Sequence, residues 1–494
     1  MRKRDLLKGV AGIAMLGALP YRALGAKDTA APAFRKRLNL LFITADDMDW
    51  SVPGFMGGGM GLTPNLDALA ARAHLFANNR TVAPICMPSR QAFMSGLLPH
   101  HNGGTGFIPM KDGTPTLTTI LQEQGYYAAA IHKVEHMQPF GCFPWDFMQN
   151  AKDRHTMVHS RGFAVAIEEA RAASKPFFVQ CNINDPHRPF YGSGEAAKLD
   201  HDDQGPYRIA REIRPEDVTV PAMLEDLPPV RAELAQYWNS VQRMDAAIGN
   251  ILKTLADSGE ADSTVIVFCA DHGMPFPFSK ATCYDHGTRV PVLIRWPGMG
   301  EPRRFENRTT NLDILPTLLD ILGVAPPPML DGRSWLPIIR GERGKEPEFV
   351  FTYVNEVASG MAYPARAAQD RRYSLIFSPW ADGKLAMRLE SMTGLSWPAM
   401  LEAAKSDSKV AARVRQYVYG IPLALYDLQE DPGQRRNLID APEHASRVAR
   451  MKAALLAEME RTADPQLDNF RALLAGRRPV VPQQPERYRM RGGD

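Results

Sequence analysis

The sequence predicts an α/β protein with a doubly wound, mostly parallel sheet and a smaller α+β C-terminal domain. Four short apolar runs lack the alternation of half-exposed strands, which is typical of strands buried on both faces of a parallel sheet. They span residues 38–45, 126–131, 176–183 and 264–270. Helical patterns lie between these runs, as expected when strands and helices alternate. A connecting stretch rich in Gly, Pro and charge, at 331–347, separates them from a different pattern of elements.

The individual elements follow from their end signals. Thr63 can cap a helix over residues 63–70, with Pro64 at its first position. Two further helices are predicted at 232–255 and, ending at Gly323, at 312–322. In the C-terminal part the sequence predicts strands at residues 371–377 and 423–428. A turn at 431–433 and a helix at 441–462 are predicted to follow.

Composition and the N-terminus restrict the class of protein. The chain has 494 residues, is 45% hydrophobic and 23% charged, and has a formal net charge of +3, so nothing indicates nucleic-acid binding. Basic residues 2–4, a short apolar stretch at 9–19 and small residues at 23–26 predict an export signal. Residues 4–8 resemble a twin-arginine signal, with Lys3 replacing the first arginine. We therefore expect a periplasmic or secreted protein without a membrane span.

These patterns predict four segments. Residues 1–26 form a signal peptide, 36–345 a large N-terminal domain that carries the catalytic site, 346–480 a smaller C-terminal domain, and 481–494 an irregular tail.

Polar clusters follow each of the four apolar runs. They are Asp46 and Asp47; His132 and Lys133, with His136 close behind; residues 184–188; and residues 271–273. Ligands of doubly wound folds bind beyond the carboxyl ends of the strands, so one sheet edge can gather all four clusters. The adjacent carboxylates of Asp46 and Asp47 repel each other unless a cation neutralises them. Taken alone, they are better explained as a helix N-cap and a solvated acid, and Cys86 and Asp271 reverse that preference.

The run Cys86-Met87-Pro88-Ser89-Arg90, followed by a short helical stretch, is the most specific motif. It resembles the Cys-x-Pro-Ser-Arg signature of type I sulfatases, in which the cysteine is oxidised after translation to formylglycine. The alternative interpretation is a buried structural cysteine before a helix. As with any motif, structural context has to decide.

The resemblance to this family, which has the alkaline-phosphatase-like fold, extends over most of the chain. Its other motifs occur in the family's order: Asp-Asp after the first strand, a Lys–His element, Asp-Pro-His, Asp-His-Gly, and a lysine before Gly-Thr-Arg-Val-Pro. Within the family the chain looks most like the heparan N-sulfatase (sulfamidase) group. The narrower match is carried by residues 185–188, 271–277 and 361–366.

The resemblance implies a role for each matching residue. The implied metal ligands are Asp46, Asp47, Asp271 and His272, completed by modified Cys86. The implied catalytic residues are Cys86, Arg90, Lys133, His136, His187 and Lys280. Substrate contacts are predicted at Arg188, Tyr363 and Arg366. One departure is that Lys133-Val134-Glu135-His136 has one residue more than the usual Lys-x-His, so His132 stays an alternative to His136.

The expected activity is hydrolysis of a sulfated carbohydrate, preferentially at the N-sulfate of glucosamine. The alternatives are a carbohydrate O-sulfatase, a phosphoester or phosphonate monoester hydrolase of the same superfamily, and a non-enzymatic glycan-binding protein. By resemblance the ion is Ca²⁺ rather than Mg²⁺, although imidazole is a poor calcium ligand. The expected partners are a sulfated saccharide and a formylglycine-generating enzyme during maturation.

Overall fold

A mixed eight-stranded sheet dominates the computed structural model, which describes residues 37–150, 154–194, 209, 211–342 and 346–485. Its strand order is β5-β4-β6-β1-β7-β8-β2-β9. The strands of the described chain are β1 (Asn39–Asp46), β2 (His74–Phe76), β3 (Asn79–Arg80), β4 (Tyr127–Ile131), β5 (Phe147–Gln149), β6 (Phe177–Pro186), β7 (Thr264–Ala270), β8 (Val292–Arg295), β9 (Arg304–Phe305), β10 (Thr309–Thr310), β11 (Val350–Glu356), β12 (Ala362–Gln369), β13 (Tyr373–Phe377) and β14 (Leu423–Asp427).

Four central strands of this sheet, β4, β6, β1 and β7, are parallel neighbours. They are the four strands predicted from the apolar runs. Only β8 runs antiparallel to its neighbours β7 and β2. The prediction of a mostly parallel sheet is therefore confirmed, and the carboxyl ends of the four strands meet at one edge.

Helices cover both faces of the sheet, as a doubly wound fold requires. Side chains of β1 alternate between two cores: Leu41 and Ile43 enter one, whereas Leu40 and Phe42 enter the other. Among the described residues the α-helices are Pro64–Ala70, Cys86–Ser95, Pro99–Asn102, Leu117–Glu123, Val158–Ala172, Pro228–Asp257, Asp285–Thr288, Ile314–Leu322, Leu336–Ile339, Ser396–Ala403, Ser408–Tyr419, Ala445–Arg461 and Leu467–Leu474. None of them is long and apolar enough to cross a bilayer.

The C-terminal part forms a separate antiparallel sheet in the order β11-β12-β13-β14. Its apolar side packs against the helix Ala445–Arg461 through Leu375, Leu425 and Met451. The prediction of a smaller α+β domain is confirmed. The short strands β3 and β10 pair in parallel and form a third sheet of two strands.

Some predicted details are wrong. Thr63 precedes its helix, but its hydroxyl makes no side-chain cap and instead donates to Asp67, at 3.2 Å. The long helix begins at Pro228, earlier than predicted, because a proline costs no hydrogen bond in a first turn. The signal peptide lies outside the described residues, and the domain boundaries, next to undescribed residues 343–345, stay predictions.

Candidate active site

Cys86 is the first residue of the helix Cys86–Ser95, directly after the extended residue Ile85. Pro88 is tolerated there because the N–H groups of a first turn have no partner within the helix. The helix start is held against the end of β7 by Ser89, whose hydroxyl donates to the carbonyl of Asp271 at 2.6 Å. All ten residues of the helix are buried. The free thiol of Cys86 is therefore placed rigidly beside the strand ends.

Three aspartates converge on Cys86. Asp46 ends β1, Asp271 follows β7, and Asp47 turns into the site through a positive φ of 68°, a conformation that costs energy in a residue other than glycine. The backbone N–H of Asp47 donates to Asp271 Oδ1 at 3.2 Å, which fixes the turn. All three side chains are fully buried.

Two overlapping groups of side chains have the geometry of a metal site. One ligand atom each from Asp46, Cys86, Asp271 and His272 lies within 4.8 Å of all the others, and the same holds for Asp46, Asp47, Cys86 and His187. Asp46 Oδ1 is buried and has no hydrogen-bond partner among the described residues, which is costly unless a cation supplies one. This donor set fits a divalent cation, and its oxygen-rich composition suits a hard ion.

Three basic side chains pair with the aspartates. Arg90 donates to Asp271 Oδ2 from Nη2 at 3.0 Å and from Nε at 3.2 Å. Lys133 forms an ion pair with Asp46, and Lys280 Nζ lies 2.9 Å from Asp47 Oδ1. The site thus combines three buried carboxylates with the buried cations of Arg90 and Lys280 and the mostly buried cation of Lys133.

The neighbouring carboxyl groups of Asp46 and Asp47 have opposite pKa shifts. Burial raises the pKa of Asp46, but Lys133, His187 and Arg90 outweigh it and hold that pKa well below its usual range. Burial raises the pKa of Asp47 well above its usual range despite Lys280, and the charge of Asp46 contributes to this increase. A divalent cation between them would favour ionisation of both.

In two histidines at the site, a hydrogen bond to a backbone carbonyl defines which ring nitrogen carries the proton. Nδ1 of His272 lies 3.0 Å from the Gly273 carbonyl, which can only accept, so Nε2 carries the lone pair and lies 3.2 Å from Cys86 Sγ. His187 likewise donates from Nδ1 to the Arg188 carbonyl at 2.6 Å. Burial, Lys280 and Lys133 lower the pKa of His187 to about 3, while Asp46 and Glu390 oppose that change.

A cavity of about 770 Å³ opens over Cys86. One wall carries Lys133, His136, His187 and Lys280. The facing wall comes from the C-terminal part of the chain, at residues 357–361 and 388–393. Side chains from both parts of the chain therefore surround the space above the thiol.

His136 lies on this cavity, and its ring packs edge-on against Phe107 at 5.4 Å between centroids. A short 3₁₀ turn, Val134–His136, accommodates the extra residue of the Lys-x-x-His spacing. Burial and Lys133 lower the pKa of His136 to about 2, so its imidazole is neutral. His132 is fully buried, packs against the His159 ring at a tilt of 32°, and does not line the cavity. The geometry therefore places His136, and not His132, beside Cys86.

The three predicted substrate contacts do not line the cavity. Arg366 is fully buried, and its guanidinium donates to both oxygens of Asp464, at 2.5 and 2.8 Å. Tyr363 is 2% exposed and donates to the Ala386 carbonyl at 3.2 Å. Arg188 pairs with Glu233 at 2.6 Å. Each of the three side chains makes polar contacts within the protein, so the structure does not support these three predicted substrate contacts.

Other residues at the site had no sequence signal. Arg388 and Glu390 lie on the cavity wall in a stretch without any motif. Glu390 reaches Lys280 Nζ at 2.8 Å and His187 Nε2 at 3.5 Å. Burial raises the pKa of Glu390, but Lys280 and His187 lower it to about 2, so the carboxylate is ionised. Only the packing of the C-terminal part on the large sheet brings Glu390 here.

Asp185, part of the predicted Asp-Pro-His motif, anchors the His187 loop and is not a ligand. Its carboxylate accepts from Arg243 Nε at 2.7 Å and from Arg154 Nη1 at 2.8 Å. Arg154 also donates to the carbonyls of His187 and Arg188, at 2.5 and 2.7 Å. This buried network fixes the direction of the His187 ring.

A divalent ion is expected to stabilise the folded protein. Ca²⁺ at a hundredfold excess over its Kd should add about 2.7 kcal/mol to the free energy of unfolding and raise the Tm, because only the folded state assembles the ligand set. Differential scanning calorimetry with Ca²⁺, with Mg²⁺ and after chelation checks this. Asp46→Asn should lose the shift, whereas Asp262→Asn, at an exposed position, should keep it. A Tm that responds to neither ion would contradict the metal site.

Comparisons with known proteins agree with this geometry. A family model described as Sulfatase matches residues 38–324, and one described as N-sulphoglucosamine sulphohydrolase, C-terminal, matches residues 271–382. The chain is 28% identical to N-sulphoglucosamine sulphohydrolase of Homo sapiens, over 86% of this chain and 91% of that protein. It is 24% identical to a Delta 4,5-hexuronate-2-O-sulfatase of Bacteroides thetaiotaomicron, over 88% and 91%. The solved phosphonate monoester hydrolase of Agrobacterium radiobacter has a similar fold, with a TM-score of 0.64 at 18% identity, covering 86% of this chain and 96% of that one.

Proposed function

Since this chain belongs to the sulfatase family, we propose that it is a formylglycine-dependent sulfohydrolase acting on a sulfated carbohydrate. The preferred group in this proposal is the N-sulfate of glucosamine, in glycans of the heparin or heparan type. The observation that carries the proposal is the position of Cys86, at a buried helix start between three aspartates and beneath a cavity lined by Lys133 and Lys280.

The thiol of Cys86 is itself poorly suited to be the nucleophile. Burial raises the pKa of Cys86 well above its ordinary value, and three aspartates add to this, so the reactive thiolate is disfavoured. Conversion to formylglycine replaces the thiol with an aldehyde, and the hydrated aldehyde supplies an oxygen nucleophile. The proposal therefore includes a formylglycine-generating enzyme that acts on this chain during maturation.

Asp46, Asp47, Asp271 and His272 would hold the divalent ion, which we propose to be Ca²⁺. When bound, the ion would supply positive charge next to the sulfate. Oxygen ligands dominate the set, which favours Ca²⁺ over softer metals. Arg90 is fully buried and is hydrogen-bonded to Asp271, Thr44 and Asn182, so its role is to hold the ligand set and position 86 in place.

The remaining polar residues have different roles around the sulfate. Lys133 is mostly buried and Lys280 is buried, and both are charged and line the cavity, so they neutralise an anionic substrate where water is largely excluded. The unpaired N–H groups of the helix start add further positive potential. His187 delivers a proton from Nε2 to the departing group in its doubly protonated form, which the sulfate charge favours by offsetting Lys280 and Lys133. Neutral His136 accepts a proton near position 86.

The preference for N-sulfate is supported by similarity and has to be tested directly. The chain resembles an N-sulfate hydrolase over most of its length, but it also resembles an O-sulfatase at a nearly equal level of identity. The shared fold does not separate sulfur from phosphorus chemistry either, since a phosphonate hydrolase has it.

Matched substrates distinguish these activities. We expect the mature enzyme to release sulfate from N-sulfoglucosamine at least about tenfold faster, in kcat/KM, than from glucosamine 6-O-sulfate, because each differing polar contact discriminates by about 10-fold or more. Ion chromatography of released sulfate measures both. A 4-nitrophenyl phosphate control reports phosphoryl transfer. Sulfate released from the O-sulfate alone would eliminate the N-sulfatase proposal, and faster turnover of the phosphate would favour the phosphorus alternative.

A further inference from the structure

Among the described residues that line the cavity over Cys86, one has a carboxylate side chain. It comes from the C-terminal part of the chain. Glu390 begins a short 3₁₀ turn, Glu390–Met392, on the wall opposite Cys86. Its side chain is about one-third exposed, at 32%, so it remains accessible from the cavity. A negative charge in a cavity for anionic substrates is unfavourable unless it serves another part of the substrate.

The position of Glu390 relative to the acid–base groups is well defined. Its Oε2 lies 2.8 Å from Lys280 Nζ, and its Oε1 lies 3.5 Å from His187 Nε2. Lys280 also contacts Asp47, at 2.9 Å, so it bridges the aspartate cluster and Glu390. Glu390 therefore lies next to the proposed proton donor, on the side where the leaving group departs.

A buried ion pair holds the loop that carries Glu390. Glu233 pairs with Arg188 at 2.6 Å and accepts from the backbone N–H of Ser396 at 2.7 Å. Gly394, with φ of 79°, lets the loop approach, because a Cβ built at this position would lie 1.8 Å from Glu233 Oε1. The loop is fixed at its base, so the Glu390 carboxylate is positioned before substrate arrives.

We propose that Glu390 makes this enzyme prefer nitrogen-linked over oxygen-linked sulfate, an inference that rests on the function proposed above. The nitrogen of a sulfamate carries an N–H group that can donate a hydrogen bond to a carboxylate. The bridging oxygen of a sulfate ester has only lone pairs, which the negative carboxylate repels.

The bond changes explain why the effect grows along the reaction. The S–N bond breaks, its electron pair stays on nitrogen, and the sulfuryl group passes to the oxygen nucleophile at position 86. His187 donates its Nδ1–H to the Arg188 carbonyl, so it gives a proton from Nε2 only in its doubly protonated form, which the negative sulfate beside it favours. That proton reaches the basic sulfamate nitrogen before the S–N bond has fully broken, so the nitrogen passes through a cationic state that the Glu390 carboxylate stabilises, and cleavage then leaves a neutral amine and neutral His187. The bridging oxygen of a sulfate ester is much less basic and gains its proton only as the bond breaks, so it develops no such charge and Glu390 discriminates in the transition state.

The isosteric neutral variant Glu390→Gln tests this inference. We expect kcat/KM for N-sulfoglucosamine to fall by about 10- to 100-fold, in line with loss of a charge-assisted hydrogen bond. For glucosamine 6-O-sulfate it should stay within about twofold or rise. Glu390→Asp, which keeps the charge, should retain part of the preference. Glu402→Gln, at an exposed position paired with Lys405, is the matched control and should keep the wild-type ratio.

The outcomes separate this inference from the proposed function. Wild-type enzyme that releases sulfate from neither sugar overturns the proposed function and this inference with it. Wild-type enzyme that prefers the N-sulfate, with an unchanged preference in Glu390→Gln, overturns only this inference. Equal losses on both substrates also overturn it, because they indicate that Glu390 merely supports Lys280 and His187.

Discussion

Replacing Cys86 with alanine is expected to lower kcat for sulfate release by at least about 10³-fold, the scale of loss when a covalent nucleophile is removed. The side chain is 2% exposed and lies at the first position of its helix, where alanine is well tolerated. Calorimetry should therefore show a folded protein with a Tm close to that of the wild type. Sulfate release and the Tm together separate loss of chemistry from loss of structure.

Cys142→Ala provides the control for this experiment. Cys142 is also free and buried, but it does not line the cavity, so its replacement should leave kcat unchanged. Mass spectrometry of the peptide that contains position 86, from protein matured in its native host, tests the modification itself. An unmodified thiol in fully active protein, or full activity of Cys86→Ala, would contradict the proposed mechanism.

Replacing Arg366 with methionine is expected to reduce the free energy of unfolding by about 3–5 kcal/mol, because it leaves the buried charge of Asp464 without a partner. Arg366 donates two hydrogen bonds to Asp464 and others to the backbone of Val354 and Ala365. Since it does not line the cavity, kcat/KM per folded molecule should be unchanged. Urea unfolding and substrate kinetics measure the two quantities separately.

The pH dependence of this pair has a definite sign. Burial raises the pKa of Asp464, but Arg366 outweighs it and lowers that pKa below its ordinary value. The stabilisation from the pair is therefore present above the ordinary range of an aspartate pKa and is lost as the pH falls through the lowered value. In Arg366→Met the stability should lose this component. A raised KM with unchanged stability would instead restore Arg366 as a substrate contact.

The role of the C-terminal part of the chain changes with these observations. It supplies Arg388 and Glu390 to the cavity, whereas Tyr363 and Arg366, the residues that the resemblance singled out, are used internally. The match to residues 361–366 is a signature of packing within this domain. If the proposed role of Glu390 holds, substrate selection depends on a loop that has no recognisable motif.

Much of the site could be predicted because its residues follow strands whose apolar character is evident in the sequence. Asp46 ends β1, Lys133 lies two residues after β4, and His187 and Asp271 directly follow β6 and β7. These strands are parallel and adjacent, so their carboxyl ends lie at the same edge of the sheet regardless of the length and structure of the segments between them. The apolar runs were sufficient to predict that these clusters share one edge, whereas the roles of the individual residues came from the family resemblance.

The rest could not be predicted because it depends on long-range packing. A charged side chain has the same appearance in a sequence whether it faces a cavity, as Glu390 does, or a buried partner, as Arg366 does. The choice between His132 and His136 likewise depended on packing: His136 ends a short 3₁₀ turn and lines the cavity with Cys86, whereas His132 does not.

By itself the sequence determined the class of fold, the sheet edge that carries the chemistry, and the residue types available there. Apolar patterning and motif spacing are local properties, and parallel strands convert them directly into a shared edge. Only the tertiary structure decided which charges are paired internally and which line the cavity, because that outcome depends on the burial and partners that distant segments provide.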